Sequence, residues 1–159
     1  MTSDGDPILL TDLRLELTHH ELRPVYHVPS ETLRVRGPEG PLLGWDVGIA
    51  AGRENLAQAI VTRLLTPRGE LTDLAHPEYG SRLSELIGRT NTENTRHLVK
   101  LFILESLKQE PRIAQVLALD VRLPADPLER DRVDVELVVQ PIASASPLAV
   151  GPIALGLSP

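Results

Sequence analysis

Four carboxylates in the middle of the chain, Glu70, Asp73, Glu78 and Glu110, have the widest choice of chemistry. A glycosidase needs two such groups facing across a sugar cleft, one of them kept protonated by a raised pKa. The chain carries 22 Asp and Glu against 16 Lys and Arg, so four carboxylates at these positions need no catalytic explanation. Tyr26, Trp45, Tyr79 and Phe102 are the complete aromatic set, which leaves few surfaces for sugars to stack on. Catalysis is therefore not expected.

Histidine gives a second cluster, with His19 and His20 adjacent, Glu21 next and His27 seven residues after His20. This is not the His-Glu-x-x-His spacing, and neighbours on a strand point to opposite faces, so no metal site is expected. His76 reads as a turn residue and His97 as a helix-surface residue. There is no cysteine, which removes thiolate ligands, disulfides and a cysteine nucleophile. No glycine loop is built to cradle a phosphate, and no spacing of Ser, His and Asp stands out as a triad. No cofactor is expected.

The 159 residues suit one domain with extensions. Formal net charge is −6 and no run of Lys and Arg provides a footprint for a phosphate backbone, so nucleic acid is not expected as a partner. Met1 to Pro7 lacks the basic and apolar regions of a secretory leader, and no apolar run approaches the roughly 20 residues that span a bilayer. The expectation is a cytoplasmic chain with no membrane contact.

The elements that must position these residues follow from periodicity. Leu13, Leu15 and Leu17 alternate with Asp12, Arg14 and Glu16, the pattern of a half-buried strand over Leu9 to Leu17. A second alternation covers Thr32 to Arg36, before Gly37, Pro38, Gly40 and Pro41 interrupt the chain. Leu56, Ala57, Ile60, Val61, Leu64 and Leu65 recur at helical spacing, with Asn55, Gln58 and Thr62 opposite, and Pro67 stops this helix. His76 to Gly80 form a turn, after which Ser81 is placed to cap a short helix burying Leu83, Leu86 and Ile87 and ending at Gly88. Thr90 to Glu93 spell a capping box for a long helix running to about Gln109, apolar on more than one face and so expected to be covered on several sides.

Beyond Pro111 the period changes to two. Leu117, Leu119, Val121 and Leu123 alternate with polar or small residues, and so do Val133, Val135, Leu137 and Val139, which predicts an antiparallel hairpin. The stretch from Pro141 is too irregular for an element and too apolar for a simple linker. The fold class expected is α+β, two or three helices on a small, mostly antiparallel sheet. Residues 1–44 form an extended arm with short strands, 45–142 the organised domain and 143–159 an irregular tail.

Three motifs lie in order along the central segment: Arg63-Leu-Leu-Thr-Pro67-Arg-Gly69-Glu70 after a helix, His76-Pro77-Glu-Tyr79-Gly80-Ser81, and Glu110-Pro111-Arg112 between the long helix and the last strands. Taken alone, Pro67, Gly69, Pro77 and Gly80 are ordinary turn chemistry, and Glu110 to Arg112 a helix stop flanked by charges. Together, from about Trp45 to Ile142, they resemble the baseplate wedge family of contractile phage tails, type VI secretion baseplates and phage-tail-like injection particles, called GPW or gene-product-twenty-five-like.

That resemblance implies a structural subunit rather than an enzyme, built into a multi-copy, six-fold baseplate with other wedge proteins, hub, spike and tube-initiator proteins and the contractile sheath subunit. Pro67, Gly69, Glu70, Pro77, Tyr79 and Gly80 would be its structural motif. Glu110, Pro111 and Arg112 would meet a partner, the planar Arg112 fork suiting a carboxylate or helix-end carbonyls. An open strand edge would template the sheath. Because members of the family have carried a lysozyme-like label, the alternative is an acid hydrolase acting on peptidoglycan.

Overall fold

A computed structural model describes residues 9–20, 23–37, 40–129, 131–142 and 144–157. The chain divides into two compact units, Met1–Gln58 and Ala59–Pro159. The architecture is α+β: the described residues form two α-helices, three two-stranded antiparallel ladders and a three-stranded antiparallel sheet.

In the first unit β1 (Thr11–Leu13) pairs with β6 (Ile49–Ala51), β2 (Glu16–His20) with β3 (Arg23–His27), and β4 (Ser30–Gly37) with β5 (Gly40–Val47). The single strand expected over Leu9 to Leu17 is broken at Arg14 and Leu15. At the break the Gln58 side chain acts as a substitute strand: its Nε2 donates to the Leu13 carbonyl at 2.8 Å and its Oε1 accepts from the Leu15 amide at 2.7 Å. The two halves can then take different partners without leaving backbone groups unpaired. The expected arm is thus folded into hairpins. Its Gly37 and Gly40 face each other across the end of the β4–β5 ladder, while Pro38 lies outside the described residues. His19, His20 and His27 fall on β2 and β3, and Glu21 is outside the described residues.

Helix α1 (Gly52–Leu65) follows and crosses the boundary between the units. Leu56, Ile60 and Leu64 are buried at the expected spacing, but so is Asn55, whose Nδ2 donates to the Leu9 carbonyl at 3.0 Å. In place of the expected short helix stands a single 3-10 turn over Leu83–Leu86. Leu83 and Leu86 are buried as expected, but Ile87, beyond the end of that turn, is 59% exposed. The N-cap of that turn is Arg82 and not the expected Ser81, and it has no side-chain cap; the Ser81 hydroxyl accepts from the Leu83 amide at 3.2 Å.

Helix α2 (Glu93–Leu107) is capped by Thr92, which accepts from the Thr95 amide, and not by a box starting at Thr90. The Thr90 carbonyl instead receives the Thr95 hydroxyl at 2.7 Å. Val99, Phe102, Ile103 and Leu107 form the buried stripe with Thr95 and Ser106, whereas Leu101 and Leu104 are exposed. The helix is buried along that stripe and open to solvent at these two leucines.

The sheet runs β7 (Ile113–Arg122), β8 (Arg132–Pro141), β9 (Leu148–Gly156), with β8 central. Val133, Val135, Leu137, Val139 and Pro141 are buried on alternate positions of β8, and the hairpin with β7 is antiparallel as expected. β7 departs from strict alternation. Its pairing steps from Ile113 to Gln115 and from Val116 to Ala118 against consecutive β8 residues, so Ala114 and Leu117 are bulged. The second bulge turns Leu117 outward, and it is exposed.

The irregular tail expected over 143–159 is corrected: Leu148–Gly156 is a strand paired to β8. Its pattern is hidden by Gly151 and Pro152, which stand as a bulge opposite Glu136 while Leu148, Val150 and Ile153 are buried on either side. Gly151 has φ +121°, and a Cβ there would lie 2.6 Å from the Val135 carbonyl oxygen, so the bulge is closed to any other residue.

Candidate functional site

The three motifs converge within the second unit. The carbonyl of Thr66, just past α1, receives the Ser81 amide at 2.8 Å, and the Ser81 carbonyl receives the Arg68 amide at 2.8 Å, a parallel bridge between Pro67 and Ser81. The buried Ser81 hydroxyl donates to the Leu64 carbonyl at 2.5 Å. Gly80 makes the approach possible. Its φ is +104°, and a Cβ would sit 2.5 Å from the Thr66 oxygen and 2.9 Å from the Pro67 carbonyl group. The Gly80 carbonyl in turn accepts the Ser106 hydroxyl of α2 at 2.9 Å.

The turns themselves are conventional. Gly69, at φ +88°, lets its carbonyl receive the Thr72 amide and hydroxyl at 3.2 and 2.5 Å. Glu70 is exposed, its amide donating to the Pro67 carbonyl at 3.1 Å. Pro77 and His76 are exposed in the second turn, where the Tyr79 amide donates to the His76 carbonyl at 3.2 Å. Arg68 ties the turns to α2, pairing with Glu78 and, at 2.7 Å, with Glu105.

The ionic centre lies at the third motif. Glu110 is 5% exposed just beyond α2, and Pro111 fixes the chain direction into Arg112. The Arg112 guanidinium returns as a fork: Nε donates to Glu110 Oε1 at 2.6 Å and NH2 to Oε2 at 3.2 Å, while the Arg112 amide reaches Oε1 at 3.4 Å. A second guanidinium comes from Arg63 in the last turn of α1, its NH2 3.6 Å from Glu110 Oε2. Its Cζ stands 4.4 Å from the centroid of the Tyr79 ring, a cation–π distance. Arg63 thereby links the Leu-Thr-Pro motif, the Tyr79 turn and the Glu-Pro-Arg motif.

Burial is the largest influence on Glu110 and opposes its ionisation. The Arg112 hydrogen bonds and charge, with the more distant charge of Arg63, together outweigh it and hold the carboxyl below its ordinary value. A glycosidase acid needs the opposite shift. Glu78 is engaged with Arg68, and Asp73 is exposed on a 3-10 turn over Thr72–Leu74. Among the described residues no group of three His, Asp or Glu is arranged to hold a metal ion. None of the described helices is long and apolar enough to cross a membrane.

The structure brings Tyr79, Gly80, Pro67, Glu110 and Arg112 into one neighbourhood through Arg63, and leaves Glu70 and Pro77 at the surface. Arg63 had no role assigned from sequence. Its signal was its position three residues after Ile60, on the stripe of Leu56, Ile60 and Leu64 that faces inward.

No family model matches the chain, and no curated protein matches it by sequence. Among solved structures the chain is similar to a protein of Geobacter sulfurreducens that carries the provisional name tail lysozyme. The two share 17% identity and a TM-score of 0.54, over 69% of this chain and 92% of that one. At that identity the likeness is one of fold: over that 69% this chain shares the fold of the protein named tail lysozyme.

Proposed function

We propose that this chain is a structural baseplate subunit of a contractile, phage-tail-like injection machine, joining wedge and hub proteins to the first ring of sheath. The observation that carries this reading is the shared fold, extending over 92% of the tail-named neighbour. The ordered motifs add support, because they join into one buried ionic brace around Arg63 and Glu110. Glu110, Pro111 and Arg112 are the proposed partner-binding corner, with exposed Pro111 at the surface and the nearly buried Glu110–Arg112 pair fixing its shape. The outer edges of β7 and β9 are the proposed sites for added strands, since β7 and β9 are the outer strands of the sheet. Bulges interrupt both, and the regular run Ala118–Arg122 of β7 is the longer uninterrupted stretch. An added strand would gain main-chain hydrogen bonds there.

Affinity purification of the tagged chain from its native host, with mass spectrometry of its companions, tests the proposal. Recovery of sheath, tube and wedge proteins is the expected result; a chain recovered without them contradicts it. The neighbour's name also favours a second reading, a hydrolase acting on peptidoglycan. Against it stand the ionised, arginine-held Glu110 and the engagement of Glu78 with Arg68. Release of soluble fragments from purified peptidoglycan, lost in Glu70→Gln or Asp73→Asn, would establish that reading instead.

A further inference from the structure

The sheet is left open along its most regular edge. β7 is an outer strand, paired with β8 on one side, and among the described residues no other strand pairs with its outer edge. Unpaired main-chain groups at such an edge invite another strand, and proteins commonly blunt them with proline, lysine or bulges. The first half of β7 is guarded in this way by the bulges at Ala114 and Leu117. The run Ala118–Arg122 is not: it pairs residue by residue with β8 and contains neither proline nor lysine. Leu123 continues its line and is 51% exposed. β9, the other outer strand, carries Gly151 and Pro152 in its middle.

The side chains of this run match a second copy of itself. Asp120 and Arg122 stand two residues apart and so on one face of the strand. They are 44% and 62% exposed and pair with each other at 2.6 Å. When an antiparallel strand is added, residues directly opposite share a face, and their charges decide the register. Two copies of β7 related by a two-fold axis through Asp120 would oppose aspartate to aspartate, and an axis through Arg122 would oppose arginine to arginine. An axis through Val121 sets Asp120 of each copy against Arg122 of the other, and Leu119 against the exposed Leu123. That register turns two separate ion pairs into one ring of alternating charge. We propose that Ala118–Leu123 is a self-association edge, to which a second copy of this chain adds its own β7 antiparallel about Val121, an isologous contact that joins the two sheets into one. The proposal stands on the sheet alone. It occupies an edge that the baseplate reading gives to added strands, so self-pairing and assembly there exclude one another.

Sedimentation velocity of the purified full chain, from about 1 μM to about 1 mM, tests it. One short strand per copy makes an interface below the about 1,200 Å² of stable complexes, so wild type is expected to pass from monomer to dimer as concentration rises. Asp120→Arg and Arg122→Asp each set like charges across the axis, and each should weaken the dimer about tenfold or more, with unchanged circular dichroism. An equal mixture of the two variants should dimerise again, because the arginines of one then face the aspartates of the other. The exchange variant Asp120→Arg/Arg122→Asp keeps both the internal and the crossed pairs and should dimerise like wild type. Should a single variant fail to fold, the exchange variant carries the test, together with amide hydrogen exchange at Ala118–Leu123, which should slow as wild-type concentration rises. A wild type that stays monomeric at the highest concentration, a dimer that folded single variants leave intact, or a mixture of folded variants that stays monomeric overturns the inference. None of these outcomes touches the capture of tail proteins, which decides the baseplate reading separately.

Discussion

Arg112 Nε meets Glu110 Oε1 at 2.6 Å across a single proline, so the Glu-Pro-Arg corner closes on itself inside the second unit. Pro111 cannot rotate about φ, and the carboxylate and guanidinium on either side of it are therefore presented in one relative geometry. The pair is nearly buried, and removing one member leaves the other charged and poorly solvated. Glu110→Ala is expected to destabilise the chain by about 3–5 kcal/mol, read as a lower urea midpoint with little change in slope.

Glu110 also sets the acid limit of stability. Its carboxyl is held below the ordinary value in the folded chain, so the unfolded chain binds the proton more readily. Its contribution is complete above the ordinary Glu range, near pH 4.3, and is lost as pH falls through the folded-state value. Urea midpoints measured from pH 7 down to pH 3 should fall along an acid limb that is shallower in Glu110→Gln, measured against that variant's own neutral-pH midpoint.

The contact between the two turns depends on one missing side chain. Gly80→Ala places a methyl group against the Thr66 and Pro67 carbonyls in a left-handed backbone conformation. The conformation alone costs about 1–3 kcal/mol, and the clash adds to it. Gly69→Ala has the same backbone cost but meets only the Thr72 hydroxyl at 3.8 Å, so its melting point should fall less than that of Gly80→Ala.

The bulge in β7 separates two leucines that strict alternation treats alike. Leu117→Ser should change stability by no more than about 0.5 kcal/mol, because Leu117 is exposed. Leu137→Ala, 1% exposed on β8, should cost about 2–5 kcal/mol. Chemical denaturation of both variants checks the register directly.

Much of this fold was legible because burial imposes periodicity. The stripe Leu56, Ile60, Leu64 and the alternation Val133 to Val139 are long, clean and bounded by Pro67 and Pro141, and both elements stand where they were expected. What was hidden depends on single residues that break a pattern. Gly151 and Pro152 interrupt the alternation of β9, and Leu117 is shifted by an inserted residue that local sequence does not announce. The split between β1 and β2 depends on Gln58, about 45 residues away in the chain, which no local window contains. At the candidate site the motifs contain Arg63, Tyr79, Gly80, Glu110 and Arg112, but nothing in their spelling assigns Arg63 the part of joining the others. Arginine on a helix reads as surface, and only its place three residues after Ile60 placed it inside.

Electron microscopy of particles purified through a gold-labelled tag on this chain tests the structural account most directly. The account predicts tubular, sheathed particles with gold at one end only, at the baseplate. Gold spread along the sheath, or a preparation holding the labelled chain and no particles, contradicts it.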